Sequence, residues 1–568
     1  MTASPARTNP PSHAGALLAR CLAAQGVERV FCVPGESYLP LLDGLHGGPV
    51  SVVVARHEGA AAMMAEAEGK MTGRPGVCVV TRGPGAMNAA AGIHIAAQDS
   101  TPMVLLVGLV HSAHTGREGF QEFDLCAVFG SLAKRVEVIH SAERIPEMVS
   151  RAWHSAMAGR PGPVVLGLPE DMLRATPPET LGPASAAFAP IPAPDPLLLE
   201  PLRNALEAAQ SPIIVVGGSR WQPEDQEMLA TFAERWGVPV ACSFRRQGLM
   251  DPDHPCYAGE AGLGINPALK QRLETADLIL LLGCRFSENP SQGFTVLPFP
   301  GMDLSQAETS NAKYVIQVHP GAEEIGRLYT PNLGFVATPG SFLRAVLASV
   351  HPTRPIPTAR TVSCQQAHEA FKHWSDTPPA GVGAVTLSAV ISHLRDSLPP
   401  TAMLCNGAGN YAIWIHRFFR YGFGAQLAPV SDSMGYGLPA AIAAALRHPE
   451  RPVIALAGDG CFQMTGAELG TAVQLGLKLR ILVCDNGRYG TIRMHQEARY
   501  PGRVEATDLV NPDFAALARS YGAVGLTVKR DSAFPSLWAE AMAAPGPALL
   551  HLTLDGRDIA PGRVLEQA

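Results

Sequence analysis

The feature that most constrains this chain is a repeating pattern of short apolar runs that stop at glycine-rich polar turns and are followed by helical segments. Its clearest instance begins with Val453 to Ala457 and stops at Gly458-Asp459-Gly460. A helix-like stretch from Gly466 to Leu475 follows, and a second apolar run, Leu479 to Val483, ends at Asp485-Asn486. Continuous apolar runs joined by a helical crossover predict buried parallel strands. Both polar stops then lie at the carboxyl ends of strands, the edge at which open α/β sheets bind ligands. Asp459 and Asn486 each offer an oxygen to a hard cation such as Mg²⁺, whose shell a phosphate can complete. Taken alone, Gly-Asp-Gly fits any βαβ crossover, with the aspartate as cap and the asparagine as turn residue.

The rhythm recurs from the start of the chain. Helical periodicity over Ala14 to Gln25 precedes a strand, Val27 to Val33, and Pro34-Gly35-Glu36-Ser37 turns into a helix through Leu45. Strand Val50 to Val54 ends at Arg56-His57-Glu58-Gly59 before an Ala-rich helix to Met71. Strand Val77 to Val80 ends at Thr81-Arg82-Gly83-Pro84-Gly85, then helix Asn88 to Ala97 and strand Met103 to Val107 follow. A second block contains strands Ile213–Val216, Val238–Ala241 and Leu278–Leu282, with Gly217-Gly218 and Gly283-Cys284-Arg285 at strand ends. A third opens at Ala402–Leu404, runs into Cys405 to Asn410, carries the Asp459 segment and closes at Ala548 to Leu554. Pro- and Ala-rich stretches, 177–196 and 351–360 with 377–381 after it, read as linkers.

Alternation of this kind predicts an α/β protein of three doubly wound parallel-sheet domains, which 568 residues accommodate. We place them at 1–180, 197–350 and 365–560. The first and third share an outline, with Val77–Thr81 matching Val453–Ala457. A net charge of −6 without a basic run argues against nucleic acid as a partner. The eleven cysteines form no C-x-x-C pair, which argues against zinc and a disulfide framework. No apolar run approaches the ~20 residues of a membrane span, and Met1 to His13 is polar and Pro-rich, unlike a signal peptide. The expectation is a cytoplasmic protein.

With Arg56-His57-Glu58-Gly59-Ala60 early and Gly458-Asp459-Gly460 and Asn486 late, the chain resembles the thiamine diphosphate enzymes of the acetolactate synthase type. The resemblance spans Ala14 to Leu554 and includes Val33-Pro34-Gly35-Glu36, Thr81 to Asn88, Phe120-Gln121-Glu122 and Ser433-Met434-Gly435-Tyr436-Gly437. It implies that Glu58 meets the aminopyrimidine ring of the cofactor and favours the tautomer that deprotonates the thiazolium carbon. Without the flanking motif, a glutamate there reads as a helix-start residue favoured by the macrodipole. Asp459, Asn486 and the backbone carbonyl of Arg488 would hold Mg²⁺. Where the family usually has Asn-Asn, this chain has Asp485-Asn486; the ligand corresponds to the second residue.

The resemblance further implies cofactor contacts at Thr81, Asn88, Gly458, Gly460, Cys461 and Tyr489. Gly460 and Cys461 would offer backbone N–H groups to the diphosphate, and Met434 would support the bent cofactor. Asn410 and Tyr411 stand where the pattern often has Gln-His beside the diphosphate; an ordinary strand-to-helix turn is the alternative. Phe120 and Gln121 fall near the substrate with Lys134 close by, while Thr491 and His495 replace the Met and Trp that shape the second-substrate pocket of biosynthetic members. His111 and His114 are not adjacent, which argues against the pyruvate decarboxylase type, and Glu58 argues against glyoxylate carboligases.

The central block resembles a domain that relatives use for FAD, for a CoA-linked nucleotide, or for nothing. Ser287-Glu288-Asn289 departs from its pattern after Gly283-Cys284-Arg285-Phe286. The implied activity is carboligation: a 2-keto acid loses CO₂ and the remaining unit passes to a second carbonyl, with acetolactate from two pyruvates as first choice. Decarboxylation of the benzoylformate type and 2-hydroxyacyl-CoA cleavage are alternatives, and a non-catalytic nucleotide-binding module is the reading from another class. A homodimer or homotetramer follows, with the cofactor between the first domain of one subunit and the third of another. The motifs leave the donor, the acceptor and any regulatory subunit open.

Overall fold

The structure is a computed structural model that describes residues 12–297 and 313–566. The reading of Met1 to His13 lies almost wholly outside the described residues. The chain forms two compact units, residues 1–189 and 190–568.

The first unit is built on one parallel sheet. Its strands are β1 (Arg29–Cys32), β2 (Ser51–Val54), β3 (Gly76–Val80), β4 (Met103–Leu109), β5 (Arg135–Val138) and β6 (Pro163–Pro169), in the order β2-β1-β3-β4-β6-β5. Every residue of β3 and β6 is buried, as expected when helices cover both faces. Helix Glu58–Thr72 starts after β2, with the His57 ring accepting from the Gly59 N–H, and stops at Gly73 in the left-handed region.

The second unit holds two sheets. The central one comprises β7 (Pro212–Val216), β8 (Val240–Ser243), β9 (Tyr257–Ala261), β10 (Leu278–Leu282), β11 (Tyr314–His319) and β12 (Leu333–Val336), ordered β12-β11-β10-β7-β8-β9. Alternate residues of β10 serve different cores: Leu278, Leu280 and Leu282 face one, Ile279 and Leu281 the other. That division confirms cover on both faces.

The last sheet comprises β13 (Met403–Asn406), β14 (Gln426–Leu427), β15 (Val453–Gly458), β16 (Leu479–Asp485), β17 (Val524–Val528) and β18 (Ala548–Thr553), ordered β14-β13-β15-β16-β18-β17. Counted from its own first strand, this is the order of the first sheet, so the shared outline extends to topology. A small antiparallel pair, β19 (Asp558–Ala560) and β20 (Arg563–Val564), follows. All eighteen strands of the three sheets pair in parallel.

Two expectations need correction. The stretch from Gly466 to Leu475 is not α-helical throughout: it opens with a 3₁₀ turn at Gly466–Glu468 and is α-helix only at Leu469–Gln474, while a separate short helix, Asp459–Gln463, precedes it. Thr465, whose hydroxyl donates to the Gly435 carbonyl at 2.7 Å, stands between that short helix and the 3₁₀ turn. The 351–360 linker is also shorter than expected, because helix Thr358–Ser375 begins inside it. Arg360 anchors that helix by donating to the Leu206 carbonyl at 2.7 Å.

Candidate active site

In a doubly wound sheet the ligand crevice opens where the strand order reverses. In the last sheet this is between β13 and β15, and the loops after those strands meet there. A cleft of about 270 Å³ lies at this edge, lined among others by Asn410, Tyr411, Met434, Gly458, Asp459, Gly460, Cys461, Asn486, Arg488, Tyr489 and Thr491. The ring of Tyr411 lies so close to Gly458 that a Cβ there would meet it at 3.2 Å. The Tyr411 hydroxyl lies 3.1 Å from the Gly407 N–H and 3.5 Å from Cys461 Sγ, so its polar end is already engaged. Cys461 Sγ in turn accepts from Gly435 N at 3.1 Å, which ties down the residue after Met434. Burial pushes both the Tyr411 hydroxyl and the Cys461 thiol up, keeping them neutral.

The oxygen donors converge. Arg488 N–H lies 3.2 Å from Asp459 Oδ2 and 3.3 Å from Asn486 Oδ1, so both side chains reach one point in the loop after β16. Asp459 is 3% exposed. Burial raises its carboxyl to about 6 against the Gly460 N–H and Asn511 bonds, and neighbouring Asp485 pushes the same way. Asn511 Nδ2 bridges the two acids, 2.7 Å from Asp459 Oδ2 and 2.8 Å from Asp485 Oδ1. Burial also opposes ionisation of Asp485, but bonds from His551, Asn511 and the Gly487 N–H hold its carboxyl below the ordinary value. His551 Nε2 lies 2.7 Å from Asp485 Oδ2. Sequence reasoning missed this Asn511–Asp485–His551 chain; the Asp-for-Asn departure at position 485 was its only signal.

Among the described residues no group of three His, Cys, Asp or Glu side chains gathers to hold a metal. One carboxylate, one amide oxygen and a backbone carbonyl nevertheless suit Mg²⁺, which binds few protein ligands and keeps places for phosphate and water. The Arg488 side chain turns the other way, its guanidinium packed against Gly556 near Asp555, so at this site the residue offers its backbone. The residues present therefore fit a magnesium-bound diphosphate. One proposed donor is spoken for, since Gly460 N–H donates to Asp459 Oδ1 at 2.8 Å. Asn410 Oδ1 accepts from Thr491 Oγ1 at 3.0 Å. His495 is exposed and does not line the cleft.

In the first unit, Glu58 opens its helix and accepts from Asn88 Nδ2 at 2.9 Å. A Cβ on Gly85 would lie 2.9 Å from the Thr81 methyl and 3.3 Å from Glu58 Oε1, so Thr81, Gly85, Asn88 and Glu58 form one cluster. Thr81 Oγ1 also lies 2.8 Å from Ser37 Oγ. Gln121 stands in the left-handed region (φ 63) and packs over Gly83. With Arg82 it lines a second, larger cleft of about 890 Å³. Arg82 Nε donates to the Phe120 carbonyl at 3.0 Å, while the Phe120 ring is exposed. Lys134 is not placed as expected: its ammonium donates to the carbonyls of Ala158 and Arg160, away from that cleft's lining.

The central sheet reverses order between β7 and β10. There the Gly217-Gly218 and Gly283 turns lie against each other. A Cβ on Gly218 would come within 2.0 Å of the Gly283 carbonyl oxygen. Trp221 Nε1 donates to the Gly217 carbonyl at 2.9 Å, and Arg246 Nε to the Gly218 carbonyl at 2.9 Å.

The comparisons agree with this geometry. Three family models match in order: the thiamine pyrophosphate enzyme N-terminal TPP binding domain at residues 12–128, the central domain at 199–346, and the C-terminal TPP binding domain at 407–552. The acetolactate synthase isozyme 2 large subunit of Escherichia coli K12 is 29% identical over 547 residues, 94% of each chain. The acetolactate synthase large subunit of Parasynechococcus marenigrum is 30% identical over 94% of this chain and 86% of its own. The catabolic acetolactate synthase of Raoultella terrigena is 30% identical over 96% of each. A solved thiamine diphosphate-dependent 4-hydroxybenzoylformate decarboxylase from Rhodococcus jostii RHA1 superposes with a TM-score of 0.81 at 24% identity, covering 96% of this chain and 99% of that one, and so shares the fold. Motifs, sheet topology and relatives together place this chain in the acetolactate synthase-like family of thiamine diphosphate enzymes.

Proposed function

We propose that the chain is a Mg²⁺-dependent carboligase that decarboxylates a 2-keto acid and transfers the remaining unit to a second carbonyl, with acetolactate from two pyruvates as the reaction to test first. The convergence of Asp459 and Asn486 oxygens on the Arg488 N–H, at the switch point of the last sheet, is the observation that supports the reading, because those oxygens would seat a metal-bound diphosphate. When bound, thiamine diphosphate supplies the electron sink for the carbon that loses CO₂.

The chain supplies the rest. Asp459, Asn486 and the Arg488 carbonyl would hold Mg²⁺, and Met434 would set the cofactor's bend. Glu58, oriented by Asn88, would hold a proton against the aminopyrimidine ring. Gln121 and Thr491 are the groups we assign to the substrate, and His495, exposed and off the cleft, becomes the weakest of those assignments. Residues 1–180, 197–350 and 365–560 are proposed as pyrimidine, central and diphosphate domains, with two or four copies assembling so that Glu58 of one copy serves Asp459 of another.

Product analysis tests this directly. Purified protein with thiamine diphosphate and Mg²⁺ is given pyruvate, benzoylformate or a 2-hydroxyacyl-CoA in separate reactions. Acetolactate from pyruvate is expected. An aldehyde from benzoylformate without acetolactate from pyruvate would instead establish a simple decarboxylase.

A further inference from the structure

Arg245 belongs to the central sheet by sequence but ends among the loops of the last sheet. It lies just beyond β8, in the left-handed region (φ 57), and is 3% exposed. Nη1 donates to the Pro429 carbonyl at 2.6 Å. Nη2 donates to the Gly407 carbonyl at 3.1 Å and to the Asp432 carboxylate. Gly407 opens the loop after β13 that leads to Asn410, and Asp432, itself left-handed (φ 52), stands two residues before Met434. Asn410, Asp432 and Met434 all line the cofactor cleft.

The arginine is itself held firmly. Its backbone N–H donates to Glu260 Oε1 at 2.5 Å, and its guanidinium lies over the Phe244 ring, 4.8 Å from the centroid. Next to it, Gln247 bonds Gln426 and the His416 carbonyl at 2.9 and 2.8 Å. A buried guanidinium is costly to desolvate, and strained backbone persists only where surrounding contacts over-determine it. Two left-handed residues joined by one ion pair, with three acceptors on two cleft loops, exceed what is needed to pack two sheets together.

We propose that Arg245 is a positioning residue of the cofactor cleft: it fixes the Pro429–Asp432 segment against the Gly407–Asn410 loop and so sets where Met434 stands. The central sheet then takes part in building the cofactor cleft through this one side chain. The proposal rests on the functional reading above, since Met434 matters only if thiamine diphosphate occupies the cleft.

The test compares full-length wild type with Arg245→Lys and Arg245→Met. Thiamine diphosphate is titrated at saturating Mg²⁺ by quenching of intrinsic fluorescence, and proton exchange at the thiazolium carbon is followed by NMR on the saturated proteins. We expect Arg245→Met to raise the dissociation constant about tenfold or more and to slow exchange at saturation. Arg245→Lys should recover part of both, because an ammonium keeps the charge but cannot serve the acceptors as a planar fork does. Asp432→Asn, which leaves the arginine and removes only the charge of its partner, should move both readouts in the same direction and stands in if Arg245→Met fails to fold. Equal dissociation constants and exchange rates in wild type and the variants, whatever happens to Tm, would overturn the proposal alone. Wild type that binds no thiamine diphosphate would overturn the functional reading, and the proposal with it.

Discussion

Glu58 and Asn88 come from different helices, and the 2.9 Å bond between them fixes where the carboxylate points. A charge-assisted hydrogen bond of this kind contributes roughly 1.5–3 kcal/mol, enough to decide a side-chain position. Replacing Glu58 by Gln keeps shape and volume but removes the acid. We expect turnover to fall by about 10²–10⁴-fold, the range for losing a general acid–base, with thiamine diphosphate affinity nearly unchanged. Steady-state rates alongside a binding titration check both halves, and an affinity loss matching the rate loss would reassign Glu58 to binding. Asn511 tests the other cluster. Its single Nδ2 donates to the neighbouring carboxylates of Asp459 and Asp485, so Asn511→Ala removes the donor they share. Losing such an outer-shell partner costs roughly 10–100-fold in metal affinity. Mg²⁺ titration should show a weakening of that order, and unchanged affinity would remove Asn511 from the metal's surroundings.

At the scale of elements, what the sequence showed well was whatever is continuous and apolar. Strands β3, β7, β10, β15 and β16 are nearly or fully buried along their length, and their runs of Val, Ile and Leu stand out without help. Most strands that escaped notice carry polar residues or lie at edges, although β6, apolar and buried between β4 and β5, was missed as well. β5 is Arg-Val-Glu-Val at half burial on the rim of its sheet, and β11 buries Gln317 and His319. Gln317 is tolerated there because it bonds the Glu324 carbonyl and the Gly326 N–H, long-range detail no local pattern reveals. In the candidate site, Glu58, Asp459 and Asn486 were readable because each ends a strand in a short motif. Arg245 and Asn511 were not, since each acts on residues far away in the chain.

Another consequence of long-range burial is Glu260, at the end of β9. It borders a narrow crevice of about 30 Å³ and receives Arg245 N–H and Gln247 Nε2. Burial, only partly opposed by those bonds and by the charge of Arg245, raises its carboxyl from the ordinary 4.5 to about 7. A carboxyl raised on folding contributes stability below its unfolded value and loses it as pH climbs through the folded one. Glu260 should therefore contribute a loss of thermal stability between about pH 5 and pH 8, opposed by His416 in the same crevice, whose imidazole burial lowers, and Glu260→Gln should remove that contribution. Melting curves across the range decide it; a variant as pH-sensitive as wild type would assign the slope elsewhere.

For the whole molecule, the matching strand orders of the first and last sheets are the informative fact. Glu58 follows the second strand of one sheet, and Asp459 follows the third strand of the other, each at its carboxyl edge. Two copies of one topology, each offering a different half of the chemistry, suit an assembly in which the halves are exchanged between subunits. That arrangement has an arithmetic consequence. Glu58→Gln and Asp459→Asn each disable every site of their own oligomer. Mixed in a dimer that pairs Glu58 of one copy with Asp459 of the other, one site collects both defects and the second collects none. Random re-association of equal amounts makes half the dimers mixed, and half their sites intact, so about a quarter of wild-type activity should return. Sites completed within a single chain would give no recovery, because every site would then carry one defect. Co-expression with two affinity tags, which isolates the mixed dimer, sharpens the expected recovery to about one half.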